Sequence, residues 1–491
     1  MSPLRSLRPM MTASVCAAVL AACASPAGLA PSGHLRDADS AAATRTLADT
    51  AGFAAAWPSE DWWRGFGDPQ LDALIEEALA GSPDMEIADA RVRQAAAQAG
   101  LADAARQPTV GARAGLSGTQ LPEALLGDLG GHFKTSGNVI LNASIPFALW
   151  GARPAAWEAA VGAHQASEVD RQAVRLTLSA GVARAYVALG YAFQSLDLAR
   201  ADRDRAVQLH ALTLQRVTAG LDSQAQLRQA ETAEASAGQK LEQASMNVDS
   251  ARLRLAALLG AGPDRALTIE PPRPIAPARL PLPADLPANL VGRRPDIVAA
   301  RWRVQASRRA IDSARADFYP NFNLGAYAGL AGRGLGSLLS ADGVLAVVSP
   351  AVSLPVFDGG RLRANLADRN AAQDLAVAQY NKTLVAAFNE VAEQVHVIRS
   401  LQRQVDEQRR AIDAARRAWE LTTLRYRRGV GSYLETLSVQ QALLTAEAAQ
   451  AQLEQRRLDA AITLIQALGG GYHDDASPAP LAAGSAAGRT R

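Results

Sequence analysis

The sequence predicts a mainly α-helical chain with a small β part, in which one unit of helix, β-hairpin and long coiled-coil helical hairpin is used twice. Three observations predict it. Val377, Leu384, Val391, Ile398, Val405, Ile412, Trp419 and Tyr426 recur at seven-residue steps, and no proline falls between Pro355 and Pro478. The two halves of the chain can be laid on one another. Between the helical stretches stand short segments in which apolar residues alternate strictly with small or polar ones.

The first observation specifies a strut. An apolar period of seven holds one seam against a neighbouring helix for as long as it persists. From Gly360 to about Tyr426 such a helix would measure roughly 100 Å at 1.5 Å per residue, far longer than a helix of a compact domain. Arg428-Gly429-Val430-Gly431-Ser432 then reads as a turn. A return helix follows, with Leu437, Leu444, Ala451, Leu458 and Ile465 again seven apart.

In chain order, Arg5 and Arg8 precede an apolar stretch, Met10 to Ala22, that is too short to span a bilayer, so residues 1–22 read as an export signal. Its end, Leu20-Ala21-Ala22-Cys23, resembles the lipobox of bacterial lipoproteins, in which the cysteine becomes the acylated first residue. An ordinary cleavage site lying beside a cysteine is the other reading. With Cys16 removed and Cys23 acylated, no thiol remains for a disulfide or a metal, and each buried CH₂ of the acyl chains contributes about 0.8 kcal/mol to anchoring. Ala24 resembles the pattern that lets such lipoproteins proceed to an outer membrane. Residues 23–56 form a tether without helical or strand period. Trp62 to Leu71 then introduces a helix over Leu71–Ala80, and Ser82-Pro83-Asp84 starts another.

From Pro83 the duplication is explicit. Pro83, Asp84, Ala88, Arg91, Val92 and Pro108 fall on Pro295, Asp296, Ala300, Arg303, Val304 and Pro320 at a shift of 212. Beyond the next segment the shift is 209: Pro146 on Pro355, Gly151 on Gly360, Gly220 on Gly429, Ser223 on Ser432 and Leu259-Gly260 on Leu468-Gly469. The seam follows, with Val182, Leu189 and Leu196 on Val391, Ile398 and Val405. The first repeat is placed at 57–263 (β-hairpin about 109–146, helical hairpin about 151–260). The second is placed at 291–471 (β-hairpin about 321–355, helical hairpin about 360–468). Between them lies a proline-rich linker, 264–290, whose stretch from Pro271-Pro272-Arg273-Pro274 to Pro287 is expected to be extended, and residues 472–491 read as a disordered tail.

The alternating segments are the β part. Val110, Ala112, Ala114 and Leu116 alternate with Gly111, Arg113, Gly115 and Ser117, and Val139, Leu141, Ala143 and Ile145 with Ile140, Asn142 and Ser144. In the second repeat Phe322, Leu324, Ala326, Ala328 and Leu330 alternate with Asn323, Gly325, Tyr327 and Gly329, and a partner strand ends at Val352-Ser353-Leu354-Pro355. Pro108, Pro146, Pro320 and Pro355 mark the strand–helix junctions. Strands of about ten residues with a dyad pattern match a transmembrane β-strand; a soluble hairpin capping a coiled coil fits the alternation as well. In lipid, two hairpins give only four strands, and an open sheet would expose unpaired backbone along both edges. Closure would then come from other copies. Small transmembrane barrels begin at about eight strands, and three copies would supply twelve.

Composition excludes other classes. Aromatics are 5% of residues, against a large globular core, and the formal net charge is +2 without a basic block interleaved with aromatics, against nucleic acid as partner. His34, His132, His164, His210, His396 and His473 lack metal-ligand spacing. Gly332, Gly334 and Gly336 sit in a hairpin loop and open no helix, so they make no phosphate cradle. With no nucleophile elbow and no catalytic acid pair, neither enzyme activity nor a metal or cofactor is expected.

Several motifs resemble those of the TolC/OprM-type outer membrane efflux factors, in the NodT-like lipoprotein branch. They are Trp62-Trp63 with Phe66-Gly67-Asp68-Pro69-Gln70-Leu71, Arg293-Arg294-Pro295-Asp296-Ile297, Phe318-Tyr319-Pro320, Leu354-Pro355-Val356-Phe357-Asp358-Gly359-Gly360-Arg361 and Arg425 to Leu434. The resemblance covers about Trp57 to Gly471, with the motifs in the same order and spacing. It implies a homotrimer with a twelve-stranded β-barrel in the outer membrane of a Gram-negative bacterium, continued by a periplasmic α-helical barrel. It also implies docking to a periplasmic adaptor (membrane fusion) protein and to an inner-membrane pump of the RND type. The channel itself would be a passive duct for drugs or other toxic compounds.

The resemblance further implies a periplasmic gate at Leu434, Glu435 and Ser438, with Tyr426 helping to latch the closed tip. Ser438 departs from the acidic residue usual there, which leaves Glu435 to form a carboxylate ring; a solvated charge at a helix start is the alternative reading. Tyr426 could equally be one more seam residue. Gly220, Leu221, Asp222 and Ser223, with Arg428, Gly429, Val430, Gly431 and Ser432, are expected to form the hairpin tips and the adaptor contact. Asp222 and Ser223 are read chiefly as helix caps, and no latch is assigned to the first hairpin, where Ala225 and Gln226 replace more polar or acidic side chains. From another class, a periplasmic coiled-coil scaffold lipoprotein without a pore would use the same struts.

Overall fold

The computed structural model describes residues 25–37, 56–120, 122–126, 131, 133–273, 286–333 and 340–474. The export signal, the acceptor Cys23, most of the tether, the middle of the linker and most of the tail lie outside the described residues.

A 3-10 turn, Trp62–Phe66, leads into α1 (Pro69–Gly81) and α2 (Pro83–Ala104). The first repeat continues with β1 (Thr109–Gln120), β2 (Phe133–Phe147), α3 (Ala152–Thr218) and α4 (Gln224–Leu258). The second comprises α5 (Leu286–Arg293), α6 (Pro295–Ala316), β3 (Asn321–Gly332), β4 (Val344–Ser353), α7 (Arg361–Arg427) and α8 (Tyr433–Ala467). Equivalent helices have equal lengths: α2 and α6 have 22 residues, α3 and α7 have 67, α4 and α8 have 35. At 1.5 Å per residue each long helix spans roughly 100 Å. Val377, Leu384, Val391, Val405 and Tyr426 of the seven-residue seam are buried, and Ile398, Ile412 and Trp419 are half-buried.

Three boundaries differ from the sequence reading. α1 begins at Pro69 rather than Leu71, because Asp68 caps it by accepting from the backbone N–H of Gln70 at 2.9 Å. The linker placed at 264–290 carries a regular element at each end. Pro263–Thr268 forms a 3-10 turn whose Ala266, with the following Ile269, is buried against the first repeat. α5 starts at Leu286 with Pro287 in its first turn, where the missing N–H costs nothing. Pro146 lies inside β2 opposite Asn323 rather than beyond the strand, one residue from its end; Pro108 and Pro320 precede β1 and β3, and Pro355 follows β4.

The chain forms two compact units. The first contains Val92–Ser167, Ala300–Tyr380 and N-terminal residues through Leu35. It carries a four-stranded antiparallel sheet in the order β1-β2-β3-β4, so the two hairpins pair through β2 and β3. Directly paired residues share a face. The register therefore aligns Ala112, Leu141, Ala328 and Ala346 in one row and Val110, Ala143, Ala326 and Val348 in another, producing one continuous apolar face. The opposite face carries Thr109, Gly111, Arg113 and Ser117 of β1, Ser136, Asn138, Asn142 and Ser144 of β2, and Asn321 and Asn323 of β3. Val110, Leu116, Val344 and Val348 on the apolar face are each more than 60% exposed, so the chain by itself leaves this face uncovered. At the strand ends Trp150 stacks on Tyr319 with centroids 5.0 Å apart and donates to the Pro320 carbonyl at 2.8 Å. Ile311, Ala314, Phe318, Leu362 and Leu366 form a small core nearby, with Leu29 packed on it.

The second unit contains Arg36–Arg91, Glu168–Ala299 and the chain from Asn381 onward. Its core gathers Trp62, Trp63, Leu71, Ile75, Val182, Leu189, Leu196, Val248, Leu255, Ile462 and Ile465. The Phe66 to Leu71 motif locks this core. Tyr186 donates to Asp68 Oδ2 at 2.7 Å, Gln70 donates to the Glu270 carbonyl at 3.1 Å, and the Glu270 N–H returns a bond to Gln70 Oε1 at 3.1 Å. Arg294 makes the matching lock in the second repeat. Its guanidinium is bidentate to Asp296 (3.1 and 2.7 Å) and reaches Glu390 at 2.7 Å and the Ala467 carbonyl at 3.1 Å, joining α6, α7 and α8. Gly469, at φ +88°, lies so close to Arg293 that a Cβ would fall 1.9 Å from its carbonyl oxygen. Gly260, its counterpart, stands against Gly81 in the same way.

Candidate functional site at the helical hairpin tips

Both long hairpins turn by the same device. α3 ends with Gly220 at φ +75°, its N–H bonded to Val217 O and that of Leu221 to Arg216 O. α7 ends with Gly429 at φ +76°, and the Gly429 and Val430 N–H groups reach Tyr426 O and Arg425 O. This pairing satisfies the last helical carbonyls and requires a left-handed residue, which glycine supplies without strain. The return helices start alike. Ser223 caps α4 in a capping box with Gln226, and Ser432 caps α8 by accepting from the Glu435 N–H at 3.1 Å.

Asp222 is not a cap. Its carboxylate takes a bidentate pair of bonds from Arg216, Nε to Oδ2 at 2.8 Å and Nη2 to Oδ1 at 3.2 Å, and a third from the Tyr426 hydroxyl at 2.7 Å. Tyr426 belongs to the second hairpin, so the two tips are bonded to one another. Arg216 adds to the link: its Nη1 donates to the Tyr426 carbonyl at 3.1 Å and its guanidinium lies 4.6 Å from the Tyr426 ring centroid. Thr213 Oγ1 lies 3.2 Å from the Tyr426 hydroxyl. The first hairpin, to which no latch was assigned, thus contributes Arg216 and Asp222 to a bonded contact between the two tips.

Packing seals the group. Tyr426 and Tyr433 are fully buried, their rings 6.1 Å apart in an edge contact, with Leu209 and Ala230 against them. The bonds from Arg216, joined by that from Tyr426, hold the Asp222 carboxyl below the usual carboxylate range despite its burial. Burial, reinforced by the anion of Asp222, pushes the Tyr426 phenol up to about 12. Both groups are thus fixed in the forms that bond: Asp222 ionised, Tyr426 protonated.

The other expected gate residues stand apart from this cluster. Leu434, Glu435 and Ser438 are exposed on the first turns of α8, where spacings of three and four residues put them on one side of the helix. At the turns themselves Leu221 and Val430 are 66% and 67% exposed. The sequence also gave no sign of a clip on the N-terminal arm, in the first unit. Asp374 of α7 accepts from the Ser32 N–H at 2.8 Å, the Ser32 hydroxyl at 2.9 Å and the Gly33 N–H at 2.6 Å. Arg363, nearer the start of α7, holds the carbonyls of Ser25 and Ala27 at 2.6 and 3.3 Å. A described arm without periodicity offers no sequence signal for such contacts.

Comparison with known proteins fits this architecture. The family model described as outer membrane efflux protein matches residues 74–261 and 286–470. The multidrug resistance outer membrane protein MdtP of Shigella flexneri is 34% identical over 432 residues, covering 85% of this chain and 87% of that protein. The pyoverdine export outer membrane protein OpmQ of Pseudomonas aeruginosa is 34% identical over 430 residues, 84% and 88% of the two chains. The crystal structure of the outer membrane protein VceC from Vibrio cholerae superposes with a TM-score of 0.79 at 34% identity, covering 85% of this chain and all of that one. The chain accordingly belongs to the outer membrane efflux protein family, and its work is efflux at the outer membrane.

Proposed function

We propose that three copies of the chain close into a twelve-stranded barrel in the outer membrane, continued by a periplasmic helical barrel, as the passive exit duct of a tripartite efflux system. The sheet carries this reading. Among the described residues β1 pairs only with β2 and β4 only with β3, so each copy has two unpaired edges and one continuous apolar face. A lipid environment demands that both be satisfied, and β4 of one copy pairing with β1 of the next does so. Trp150, Tyr319, Phe147 and Phe357, all at least 45% exposed beside the strand ends, supply the aromatic girdle of a membrane–water boundary.

The exposed tips, Gly220 to Ser223 and Arg428 to Ser432, receive a periplasmic adaptor coupled to an inner-membrane pump of the RND type, and the chain itself catalyses no reaction. The cargo class is drugs or other small toxic compounds, as the names of the relatives suggest. Acylated Cys23 anchors the arm that Asp374 and Arg363 hold along α7. The Asp222–Tyr426 bond keeps the tips closed, and Leu434, Glu435 and Ser438 of three copies line the constriction, with Glu435 as the carboxylate ring. The test is the purified protein in mild detergent: a heat-resistant trimer with a central hollow by electron microscopy is expected. A stable monomer without a hollow would refute the duct and favour a scaffold lipoprotein.

A further inference from the structure

The polar face of the sheet has an uneven charge. β1 contributes Arg113 and β2 contributes Lys134, and none of the four strands carries an aspartate or glutamate. Lys134 pairs with Thr119 near the hairpin loop, six residues along β1 from Arg113, or roughly 20 Å at 3.4 Å per residue. Arg113 stands in mid-sheet, with Ile140 opposite it on β2, and then Gly329 on β3 and Leu345 on β4 in the same row.

Its surroundings leave it prominent. The neighbours on its own strand and face are Gly111 and Gly115. A Cβ at Gly111 would lie 3.2 Å from Asn142 Oδ1, and one at Gly115 only 2.7 Å from Asn138 Oδ1. The two asparagine amides thus fold down onto the glycines on either side of Arg113. Its side chain is the longest in this stretch of wall, it is exposed, and it carries a positive charge with five N–H donors.

Resting on the duct reading, we infer that three Arg113 side chains form a cationic ring inside the barrel, which draws small anions into the outer-membrane segment and favours anionic cargo. The apolar face must meet lipid, so the face bearing Arg113 meets water in the lumen. Threefold symmetry puts the three guanidinium groups at one level. No strand carboxylate neutralises them.

A thiol reporter reads this potential locally, whatever the state of the tips. Asn138→Cys places a cysteine diagonal to Arg113, at about 7–8 Å, and the outer mouth gives access to a sulfonate-bearing and a trimethylammonium-bearing methanethiosulfonate. With Arg113 present the anionic reagent should gain over the cationic one by roughly three- to tenfold relative to the Arg113→Gln background, less in high salt. Arg113→Lys should retain the preference and Arg113→Glu should invert it. Reaction ratios unchanged by Arg113→Gln and Arg113→Glu, in trimers that still conduct ions, would overturn the ring while leaving the duct intact. Protein that forms no conducting trimer in any background would instead overturn the duct, and the ring with it.

Discussion

Replacing Tyr426 with phenylalanine removes one hydroxyl from the tip and little else. The ring keeps its edge contact with Tyr433, its place over the Arg216 guanidinium and its carbonyl bond from Arg216. What is lost is the 2.7 Å bond to Asp222, with the weaker 3.2 Å contact to the Thr213 hydroxyl. A hydrogen bond to a charged acceptor contributes about 1.5–3 kcal/mol, and Asp222 keeps its bidentate Arg216, which lowers the cost to about 1–2 kcal/mol per copy. That shifts the balance between closed and open tips by roughly 5- to 30-fold per copy. The assay is single-channel recording in planar bilayers. Tyr426→Phe should raise open probability, and Asp222→Ala should raise it further, since it also strands Arg216. Conductance and open probability equal to the parent in both variants would show that the tips are held shut by something other than this bond.

The same cluster sets a pH window. Asp222 is depressed in the folded state, so its contribution is complete above the ordinary carboxylate range and fails only as pH drops below about 4. Tyr426 is raised, so its contribution is complete below the ordinary phenol pKa of about 10 and is lost as pH climbs through about 12. Conductance should stay flat from pH 5 to 9, and opening at pH 6 would contradict the assignment. In the second repeat, Arg294→Met should destabilise the chain by about 1–3 kcal/mol, because Glu390, Asp296 and the Ala467 carbonyl lose a buried donor while the half-exposed carboxylates regain water. Arg294→Lys should recover only part of this, since an ammonium cannot reproduce the forked bond; thermal denaturation decides. Asp374→Ala should free the N-terminal arm and expose its backbone around Ser32 and Gly33 to limited proteolysis at a rate at least several-fold above the parent, with the sheet and tips unchanged.

What the sequence disclosed was whatever repeats or alternates. Seven-residue recurrence located both struts to within a residue or two, because a seam must renew itself on each pair of turns. Alternation located the strands, and the register then brought the alternating apolar residues onto one face. Contacts between residues far apart in sequence were hidden. Asp222 and Tyr426 stand more than 200 positions apart, and Asp222 sits where an aspartate usually caps a helix, so local reasoning assigned it the wrong partner. Pairing of β2 with β3 rather than within hairpins alone is likewise invisible to a period of two. The Asp374 clip uses backbone N–H groups of Ser32 and Gly33, which leave no mark in side-chain pattern. The linker was misread because proline content argues against helix interiors and says nothing of first turns, where Pro287 sits.

Equal helix lengths in the two repeats restrict how such a chain can change. Adding one residue to α3 alone would turn everything beyond it by about 100° and carry the Asp222 carboxylate away from the Tyr426 hydroxyl. Adding seven to α3 without seven to α4, α7 and α8 would preserve the seam but leave one tip overhanging the other. Growth or shortening of the struts is therefore tolerable only in whole heptads made in all four helices at once, and a lineage that altered the reach of its duct would carry that signature as matched insertions at four separate places in the gene.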